Sequence, residues 1–365
     1  MKRLKVDIPF LVSIFIMVIA GYLIFASASL GLLSKQPIKY ANVAFNQTFL
    51  GLFLGSVACI IISKIDYRIY KKYSFYIFAF AVVVTLLVFT PLGISHGGAK
   101  RWIDIGISSF QPSELLKIGY IIYLSAFLSK FKDKAGTLKY GFAPLVVLTL
   151  ISAIILLIQP DTDTFLIMTF AGLAVYLTGG GKWRYVFLFG IIGVLGLGII
   201  AYQRPYVMSR ITTFINPNEN AQGSSYQIRQ SLIAIGSGGM FGRGFGQSIQ
   251  KFNVLPEPIG DSIFAVAGEE FGFAGTFSII ALFIFFAIRG LKIATRVSDI
   301  FGRLVVVGIV ILIVSQAFVN IGAMVGVLPL SGITLPFISH GGTALFMTLA
   351  EVGIILNISK NQKFS

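Results

Sequence analysis

Charged residues are scarce in this chain of 365 residues. They make up 12% of the sequence, whereas soluble domains carry about 25%. Hydrophobic residues make up 56%, and the mean hydropathy is +0.87. The shortage of charge excludes an ordinary soluble domain and indicates an integral membrane protein.

Cysteine and histidine are also nearly missing. The single cysteine, Cys59, excludes a disulfide framework and a cysteine-based metal site, and its apolar surroundings suit a small packing residue. The two histidines, His96 and His340, both occur in the pentapeptide Ile-Ser-His-Gly-Gly, at 94–98 and 338–342. Chance repetition and a shared metal site both fit this pattern, and two histidines without fixed carboxylate partners specify little.

Acidic residues are half as frequent as basic ones, with 14 Asp and Glu against 29 Lys and Arg. A basic excess is one sign of a nucleic-acid partner. Here, with the N-terminus inside, most of the basic residues fall in cytoplasmic loops and at the termini, as the positive-inside rule requires. The excess is therefore mainly a topology signal. It predicts that both termini are cytoplasmic and that the chain has no nucleic-acid partner.

Long apolar runs dominate what is present. Runs of about 17–25 apolar residues suit a bilayer core about 30 Å thick, and charges and helix breakers separate ten such runs. We therefore predict an all-α membrane protein, one domain over 1–365, built as a bundle of ten transmembrane helices. The runs cover about 9–30, 45–64, 73–91, 112–130, 141–159, 163–179, 185–203, 262–288, 303–326 and 341–358.

The longest segment between spans, about 204–261, falls on the extracytoplasmic side. The loops over 91–111 and 327–340 join it there. Long loops in compact proteins are usually functional or disordered, and this one is not of low complexity. We expect it to contain short or re-entrant helices, because irregular backbone at membrane depth is allowed where protein or a water-filled cavity covers it.

Four carboxylates are concentrated between 255 and 270. Asp261 stands where a polar loop gives way to an apolar span. Carboxylates at the edge of a membrane segment are costly and mark function, so Asp261 is the candidate for the chemical centre. For the carboxylates inside spans, Glu269, Glu270 and Glu351, structural hydrogen bonding is favoured over catalysis.

A buried ion pair is predicted at the start of the fourth span. Glu114 and Lys117 are three residues apart and share one helix face. The pair is either structural or lines a cavity and helps to position an anionic headgroup. Lys100 and Arg101, in the preceding loop, are either an interfacial anchor or phosphate contacts.

Further phosphate contacts are predicted in the long loop, where Arg210, Arg229 and Arg243 are the outer arginines suited to bidentate binding. Simple solvent exposure is the alternative for each. The glycine-containing segment 332–342, which opens the last span, permits close backbone approach, and a helix N-terminus can also hold an anion.

Two aspartates, Asp161 and Asp163, join the fifth and sixth spans. Turn chemistry explains both. The alternative is a site for a divalent cation, Mg²⁺ or Mn²⁺, since hard cations prefer oxygen ligands. No organic cofactor is expected.

Together these motifs resemble the SEDS family, the membrane glycosyltransferases of cell shape, elongation, division and sporulation. One segment, 242–251, is more similar to the division members than to the elongation members. Three places depart from the family pattern, with Ile259-Gly260 where His-Thr is usual, Thr162-Asp163-Thr164 where Leu-Gly-Thr is usual, and His340 where Tyr is usual. The matching elements are Gly98-Ala99-Lys100-Arg101-Trp102-Ile103, Gln111-Pro112-Ser113-Glu114, Gln159-Pro160-Asp161, Gln230-Ser231, Leu255-Pro256-Glu257 with Asp261, Ile263-Phe264-Ala265-Val266, Gly268-Glu269-Glu270, and Leu335-Pro336-Phe337-Ile338-Ser339 with Gly341-Gly342.

The resemblance implies a bacterial cytoplasmic-membrane protein, at the division septum for the division members. It implies polymerisation of lipid II into glycan strands, with release of undecaprenyl pyrophosphate. Asp261 then matches the family's essential outer-loop aspartate. The implied partners are lipid II, a class B penicillin-binding transpeptidase and other divisome or elongasome membrane proteins.

The chemistry of that reaction assigns roles. A β bond forms from an α-linked donor, so one inverting displacement suffices and one carboxylate must take the acceptor's proton. Asp261 fits this general-base role, and Glu257 is its nearest substitute. Positive charge, with or without Mg²⁺ or Mn²⁺, must offset the leaving pyrophosphate. The rival functions are a lipid II flippase and a non-catalytic scaffold for the transpeptidase. The candidate cations are Arg101, Lys117, Arg210 and Arg243.

Overall fold

The computed structural model describes residues 6–96, 99–106, 108–203, 205–215, 223–252 and 254–362. Helices make up most of this part of the chain. The α-helices are α1 (Ile8–Lys35), α2 (Pro37–Phe45), α3 (Gly55–Lys64), α4 (Arg68–Lys72), α5 (Ser74–Leu86), α6 (Pro112–Lys130), α7 (Ala143–Ile158), α8 (Thr162–Thr178), α9 (Trp183–Gln203), α10 (Pro205–Ile215), α11 (Ser224–Ser237), α12 (Ile263–Arg296), α13 (Ile300–Met324) and α14 (Gly342–Ser359).

Each predicted span coincides with a helix. Among the described residues, seven helical segments are long and apolar enough to cross a membrane, and shorter apolar helices occupy Ser74–Phe89 and Thr162–Thr178. α6 occupies the predicted fourth span and carries Glu114 and Lys117 in its first turns. The predicted all-helical membrane class is therefore confirmed.

The second span begins earlier than predicted. α2, a π-helical segment over Asn46–Leu54, and α3 follow one another without a break from Pro37 to Lys64. Polar residues between 36 and 48 hide this start from a hydropathy reading. Proline suits a first helical position because its missing N–H group has no partner there in any case.

α12 is kinked at Gly272, which has φ 64° and ψ −162°. The 239–244 segment enters the kink. The Gly239 carbonyl accepts from Phe273 N at 2.9 Å, and the Glu269 carbonyl accepts from Arg243 N at 3.0 Å. A Cβ at residue 272 would lie 2.3 Å from Gly242 N, so only glycine allows both this φ and this close approach.

A small antiparallel sheet lies before α6, in the order β1 (Gly93–His96), β2 (Ala99–Asp104) and β3 (Ser109–Phe110). The sequence predicts only a loop over 91–111. The strands are too short to show an alternating pattern of apolar residues. The sheet fixes the position of Arg101, which lies on β2.

The 204–261 segment contains short helices, as predicted. α10 and α11 are followed by a single 3₁₀ turn over Gln250–Phe252. α11 packs against α12, where a Cβ at Gly268 would lie 2.9 Å from a side-chain carbon of Ile235. The segment therefore rests on the helix that begins just after Asp261.

The core lies around α6, α13 and α14, which are buried on most sides. The two ends of the described chain meet at one end of the bundle. There the Asp7 carboxylate accepts from Arg289 Nη2 at 2.8 Å, and the Ser359 Oγ accepts from Asp7 N at 3.4 Å. The functional residues gather at the opposite end.

Candidate active site

A cavity of about 1120 Å³ opens at the end of the bundle away from the chain ends. Its walls are the last turns of α1, the start of α2, the first turns of α6 and α8, the end of α13, and the segments 254–261 and 332–343. Five predicted site residues line it, and they come from three separate parts of the sequence. These are Arg101, Glu114, Lys117, Glu257 and Asp261.

Asp261 is held by its backbone at the entrance to α12. Its carbonyl accepts a hydrogen bond from Asn320 Nδ2 at 2.8 Å, and the same nitrogen donates to the Ile333 carbonyl at 2.7 Å. Asn320 is fully buried. One amide on α13 therefore joins the segment of the candidate base to the 332–343 segment.

The turn before Asp261 is tight and strained. Glu257 has φ 45°, and its carbonyl accepts from Gly260 N at 3.1 Å and from Ser262 N at 3.2 Å. A non-glycine residue in this region of φ is uncommon and is often found at functional sites. The turn directs the chain so that both carboxylates line the cavity.

The pKa of Asp261 is raised to about 7. Burial is the main cause, because it disfavours the charged carboxylate. The negative charge of Glu257 adds to the rise, Arg210 opposes it, Asp163 adds to it, and Arg101 opposes it. A carboxylate with this pKa can both accept and release a proton near neutral pH.

The Gln159-Pro160-Asp161 turn positions Arg101. Arg101 Nε donates to the Gln159 carbonyl at 3.4 Å, and its Nη2 donates to the Pro160 carbonyl. Gln159 is itself fixed, since its Nε2 donates to the Thr85 carbonyl at 3.1 Å. Arg101 Nη1 lies 3.9 Å from Asp161 Oδ1. The guanidinium group is thus held on one side and presents Nη1 on the other.

Asp163 holds a second arginine in the same region. Its Oδ2 accepts from Arg210 Nη1 at 2.6 Å and from Gly332 N at 3.2 Å. Both aspartates proposed as metal ligands therefore face arginines. No group of three or more His, Cys, Asp or Glu suited to a metal occurs among the described residues. These residues do not fit a Mg²⁺ or Mn²⁺ site. A metal requirement is predicted from the sequence alone, and the roles proposed for these residues do not depend on it.

The predicted Glu114–Lys117 pair lies at the floor of the cavity. Lys117 Nζ is 2.8 Å from Glu114 Oε1, and both residues are buried. Lys117 Nζ also donates to Gln316 Oε1 at 2.9 Å, while Gln316 Nε2 donates to the Thr334 carbonyl at 3.0 Å. The pair is thus linked to the segment that faces Asp261.

Four predicted contact residues are not among those that line the cavity, Lys100, Arg210, Arg229 and Arg243. Arg210 adjoins the cavity beside Gly332, and Arg229 is exposed on α11. Lys100 Nζ donates to the Thr90 carbonyl at 2.8 Å. Arg243 Nε lies 3.6 Å from Glu269 Oε1, and its side chain is 38% exposed. The side chains of Lys100 and Arg243 stabilise neighbouring backbone or loop structure here.

The carboxylates inside α12 have the hydrogen bonds that the sequence favours. Glu269 Oε2 accepts from Ser248 Oγ at 2.5 Å. Glu270 Oε1 accepts from Lys251 Nζ at 2.7 Å, and Ser27 Oγ donates to the same carboxylate at 2.6 Å. These contacts fix the 246–252 segment against α1 and α12.

His340 lines the cavity, but it is not placed as a metal ligand. Its backbone N donates to the Ile259 carbonyl at 2.7 Å, and its ring stacks on Phe25 with centroids 6.0 Å apart. Burial, with the charge of Lys39, lowers its pKa to about 4, so the ring is neutral near pH 7. The first copy of the pentapeptide, at 94–98, ends in residues 97 and 98, which lie outside the described residues. Residue 98 is also the first residue of the motif Gly98-Ala99-Lys100-Arg101-Trp102-Ile103.

Sequence reasoning missed two residues of this site, Gln316 and Asn320. The amides are four residues apart on an otherwise apolar span, so they share one helix face. That pattern was readable as a sign of a polar interior. Gly332 was predicted only as part of the glycine-containing 332–342 segment, and its place beside Asp261 and the two arginines depends on distant parts of the chain.

Comparisons with known proteins find relatives over most of the chain. A family model described as "Cell cycle protein" and covering FtsW, RodA and SpoVE matches residues 8–364. Stage V sporulation protein E of Bacillus subtilis is 37% identical over 312 residues, 85% of either chain. A probable peptidoglycan glycosyltransferase FtsW of Geobacter metallireducens is 39% identical over 311 residues, 85% of this chain and 83% of that one.

The fold also matches a solved structure. A chain from a structure of a peptidoglycan synthase complex, described as coordinating polymerization and crosslinking, superposes with a TM-score of 0.81. The match covers 98% of both chains at 24% sequence identity. At this identity the likeness establishes the fold.

Proposed function

Because the chain belongs to the FtsW/RodA/SpoVE (SEDS) family of cell cycle proteins, we propose that it is a peptidoglycan glycosyltransferase. It polymerises lipid II into glycan strands and releases undecaprenyl pyrophosphate. The observation that carries this proposal is the meeting, at one cavity, of the Asp261 carboxylate with two fixed arginines, Arg101 in the lining and Arg210 beside it. The names of the FtsW relatives support the same activity.

Asp261 acts as the general base. Its carboxylate removes the proton from the acceptor's 4-hydroxyl as that oxygen attacks the anomeric carbon of the donor sugar. A new β bond forms to the oxygen, and the α bond to the diphosphate breaks, with the electron pair leaving on the diphosphate. Asp261 ends the step protonated, and its pKa allows release of the proton near neutral pH.

The arginines stabilise the leaving group. The diphosphate gains negative charge as the bond breaks, so fixed cations lower the barrier more than a proton donor would. Arg101 and Arg210 are held for this by the 159–161 turn and by Asp163. Lys117 places a third cation on the cavity floor, with Glu114 beside it.

The partner and cellular setting belong to the same proposal. The chain functions with a class B penicillin-binding transpeptidase, in the bacterial cytoplasmic membrane with both termini cytoplasmic, at the division septum. The distribution of basic residues supports this orientation. The meeting of the chain ends at one end of the bundle supports it too, as does the likeness to a chain of a synthase complex.

Purified protein in liposomes with lipid II tests the function. Glycan polymer is expected from the enzyme. Leaflet exchange of lipid II without polymer indicates a flippase, and neither product indicates a scaffold. The cavity favours a glycosyltransferase over a flippase. Its lining residues lie toward one end of the bundle, whereas transport needs a polar path that reaches both ends.

A further inference from the structure

Three functional atoms converge on one empty position beside Gly332. A Cβ at this residue would lie 3.5 Å from Arg210 Nη2, 3.8 Å from Asp261 Oδ2 and 3.9 Å from Arg101 Nη1. The position belongs to the cavity, since Gly332 lines it and is exposed there. Two cations and the candidate base therefore face the space that the missing side chain leaves open.

The surrounding contacts keep this space in place. Asp163 Oδ2 accepts from both Gly332 N and Arg210 Nη1, so the glycine backbone and the arginine are fixed to the same oxygen. On the other side, two carbonyls of the 159–161 turn hold Arg101. The Nη2 atom of Arg210 and the Nη1 atom of Arg101 are thus each held near Gly332 by a different set of contacts.

The spacing suits an anionic oxygen. The distances of 3.5 and 3.9 Å from the Cβ position exceed the length of charge-assisted N–H···O bonds, about 2.7–2.9 Å, by roughly 0.6–1.2 Å. A ligand oxygen that lies beyond the Cβ position, toward a guanidinium group, is therefore within bonding reach. Two guanidinium groups can hold a phosphate with defined geometry. A neutral sugar hydroxyl makes less use of two cations.

We propose that the space beside Gly332 is the subsite for the phosphate attached to the donor's anomeric carbon, and that Gly332 determines access to it. This rests on the proposed function for the identity of the donor, a polyprenyl diphosphate sugar. The anomeric carbon then lies between this phosphate and the acceptor hydroxyl that Asp261 deprotonates, so the attack comes from the face opposite the leaving group. Any side chain at residue 332 occupies the subsite itself.

The Gly332→Ala variant separates this role from a structural one. Each of the three nearest atoms would lie at an ordinary van der Waals distance from the added methyl group, and the φ of Gly332 lies outside the left-handed region. We therefore expect the variant to fold with an unchanged melting temperature. Loss of charge-assisted hydrogen bonds to the ligand should weaken binding of farnesyl diphosphate on the order of 10–100-fold, measured by isothermal titration calorimetry.

The matched control is Gly236→Ala on α11, where an added Cβ has no atom within 4 Å. It should bind farnesyl diphosphate like the unsubstituted protein. Wild-type affinity in Gly332→Ala overturns the subsite. If Gly332→Ala melts early, Asp163→Asn decides, because it weakens the hold on Arg210. Weakened binding in that variant supports the subsite, and unchanged binding overturns it.

The two proposals fail differently. If the unsubstituted protein binds farnesyl diphosphate in a Gly332-dependent way but makes no polymer from lipid II, the subsite stands and the glycosyltransferase proposal is wrong. If Gly332→Ala polymerises lipid II at the wild-type rate, the subsite is wrong and the activity stands.

Discussion

The acidity of Asp261 depends on its charged neighbours as well as on its burial. Glu257 is the largest charge effect after desolvation, and it raises the pKa. Arg210 and Arg101 act in the opposite direction. The pKa of Asp261 therefore depends on charges that line or adjoin the cavity, with Glu257 raising it and the two arginines lowering it.

This balance predicts a pH dependence. Only the ionised carboxylate of Asp261 accepts a proton, so polymerisation should rise with pH through about 7. In Glu257→Gln the charge that raises this pKa is gone, and the half-maximal point should move to lower pH. Initial rates from about pH 5.5 to 8.5 measure it. The control is Asp104→Asn, an exposed β2 carboxylate, and an unmoved or upward-shifted midpoint in Glu257→Gln contradicts the coupling.

Part of this site was predictable residue by residue. Asp261 and the Glu114–Lys117 pair stand out in the sequence because ionisable groups in or beside apolar spans are costly. Gly332 and Asn320 do not stand out in the same way. Their roles depend on segments more than 50 residues away, since Asn320 donates to the carbonyl of Asp261, which lies 59 residues earlier in the chain.

At the scale of elements, α13 organises the cavity with two amides. Gln316 fixes the Thr334 carbonyl and Lys117, and Asn320 fixes the carbonyls of Asp261 and Ile333. Because one helix face supplies these bonds, Asp261, Lys117 and the 332–343 segment are held in fixed positions relative to one another.

Asn320→Ala should disturb the relative positions of Asp261 and the 332–343 segment. Two buried carbonyls lose their donor, which typically costs about 1–3 kcal/mol of unfolding free energy, and kcat should fall more than KM because Asp261 loses its position. Ser315→Ala is the control on the same helix, since its Oγ bonds only carbonyls of the preceding turn. Wild-type kcat in Asn320→Ala would show that the amide does not position the base.

The 246–252 segment offers a second test at this scale. Lys251 and Glu270 are almost fully buried and 2.7 Å apart, so Lys251→Met leaves an unpaired buried carboxylate. Breaking such a pair typically costs about 3–5 kcal/mol. Arg243→Gln removes only a partly exposed arginine, 3.6 Å from Glu269, and that buried carboxylate keeps its hydrogen bonds from Ser248 Oγ, Ile249 N and Gln250 N. It should therefore cost less than Lys251→Met. Thermal unfolding in detergent compares them, and equal losses would contradict the structural role of the buried pair.

The helices themselves were readable from apolar run length, whereas three local features were not. The sheet of β1 to β3 has strands of two to six residues, too short for a periodic signal. The kink at Gly272 exists because the 239–244 segment supplies its hydrogen bonds. A hydropathy pattern contains no information about such a partner.

For the whole molecule, the central feature is that the chain ends and the cavity lie at opposite ends of the helix bundle. The ends of the described chain are tied together through Asp7, Arg289 and Ser359, and the cavity opens at the other end of the bundle. Under the proposed function, lipid-linked substrates reach the site from one membrane face, and the distribution of basic residues predicts that this is the outer face.

Cysteine labelling tests this orientation. In a Cys59→Ala background, a cysteine replacing exposed Ile105, in the loop between β2 and β3, should react with an impermeant maleimide in intact cells. A cysteine replacing exposed Lys132 should react only after the membrane is opened. The reverse result would invert the topology.

The most direct measurement is glycan polymer made from lipid II by purified Asp261→Asn. Asparagine keeps the shape of the side chain but its amide is a very poor base, and general-base assistance is typically worth about 10²–10⁴-fold. We expect polymerisation to fall by that factor, with melting temperature and lipid II binding unchanged, while Glu257→Gln retains activity near its shifted pH range. Near-wild-type polymerisation by Asp261→Asn would contradict the mechanism, and loss in Glu257→Gln alongside it would move the base to Glu257.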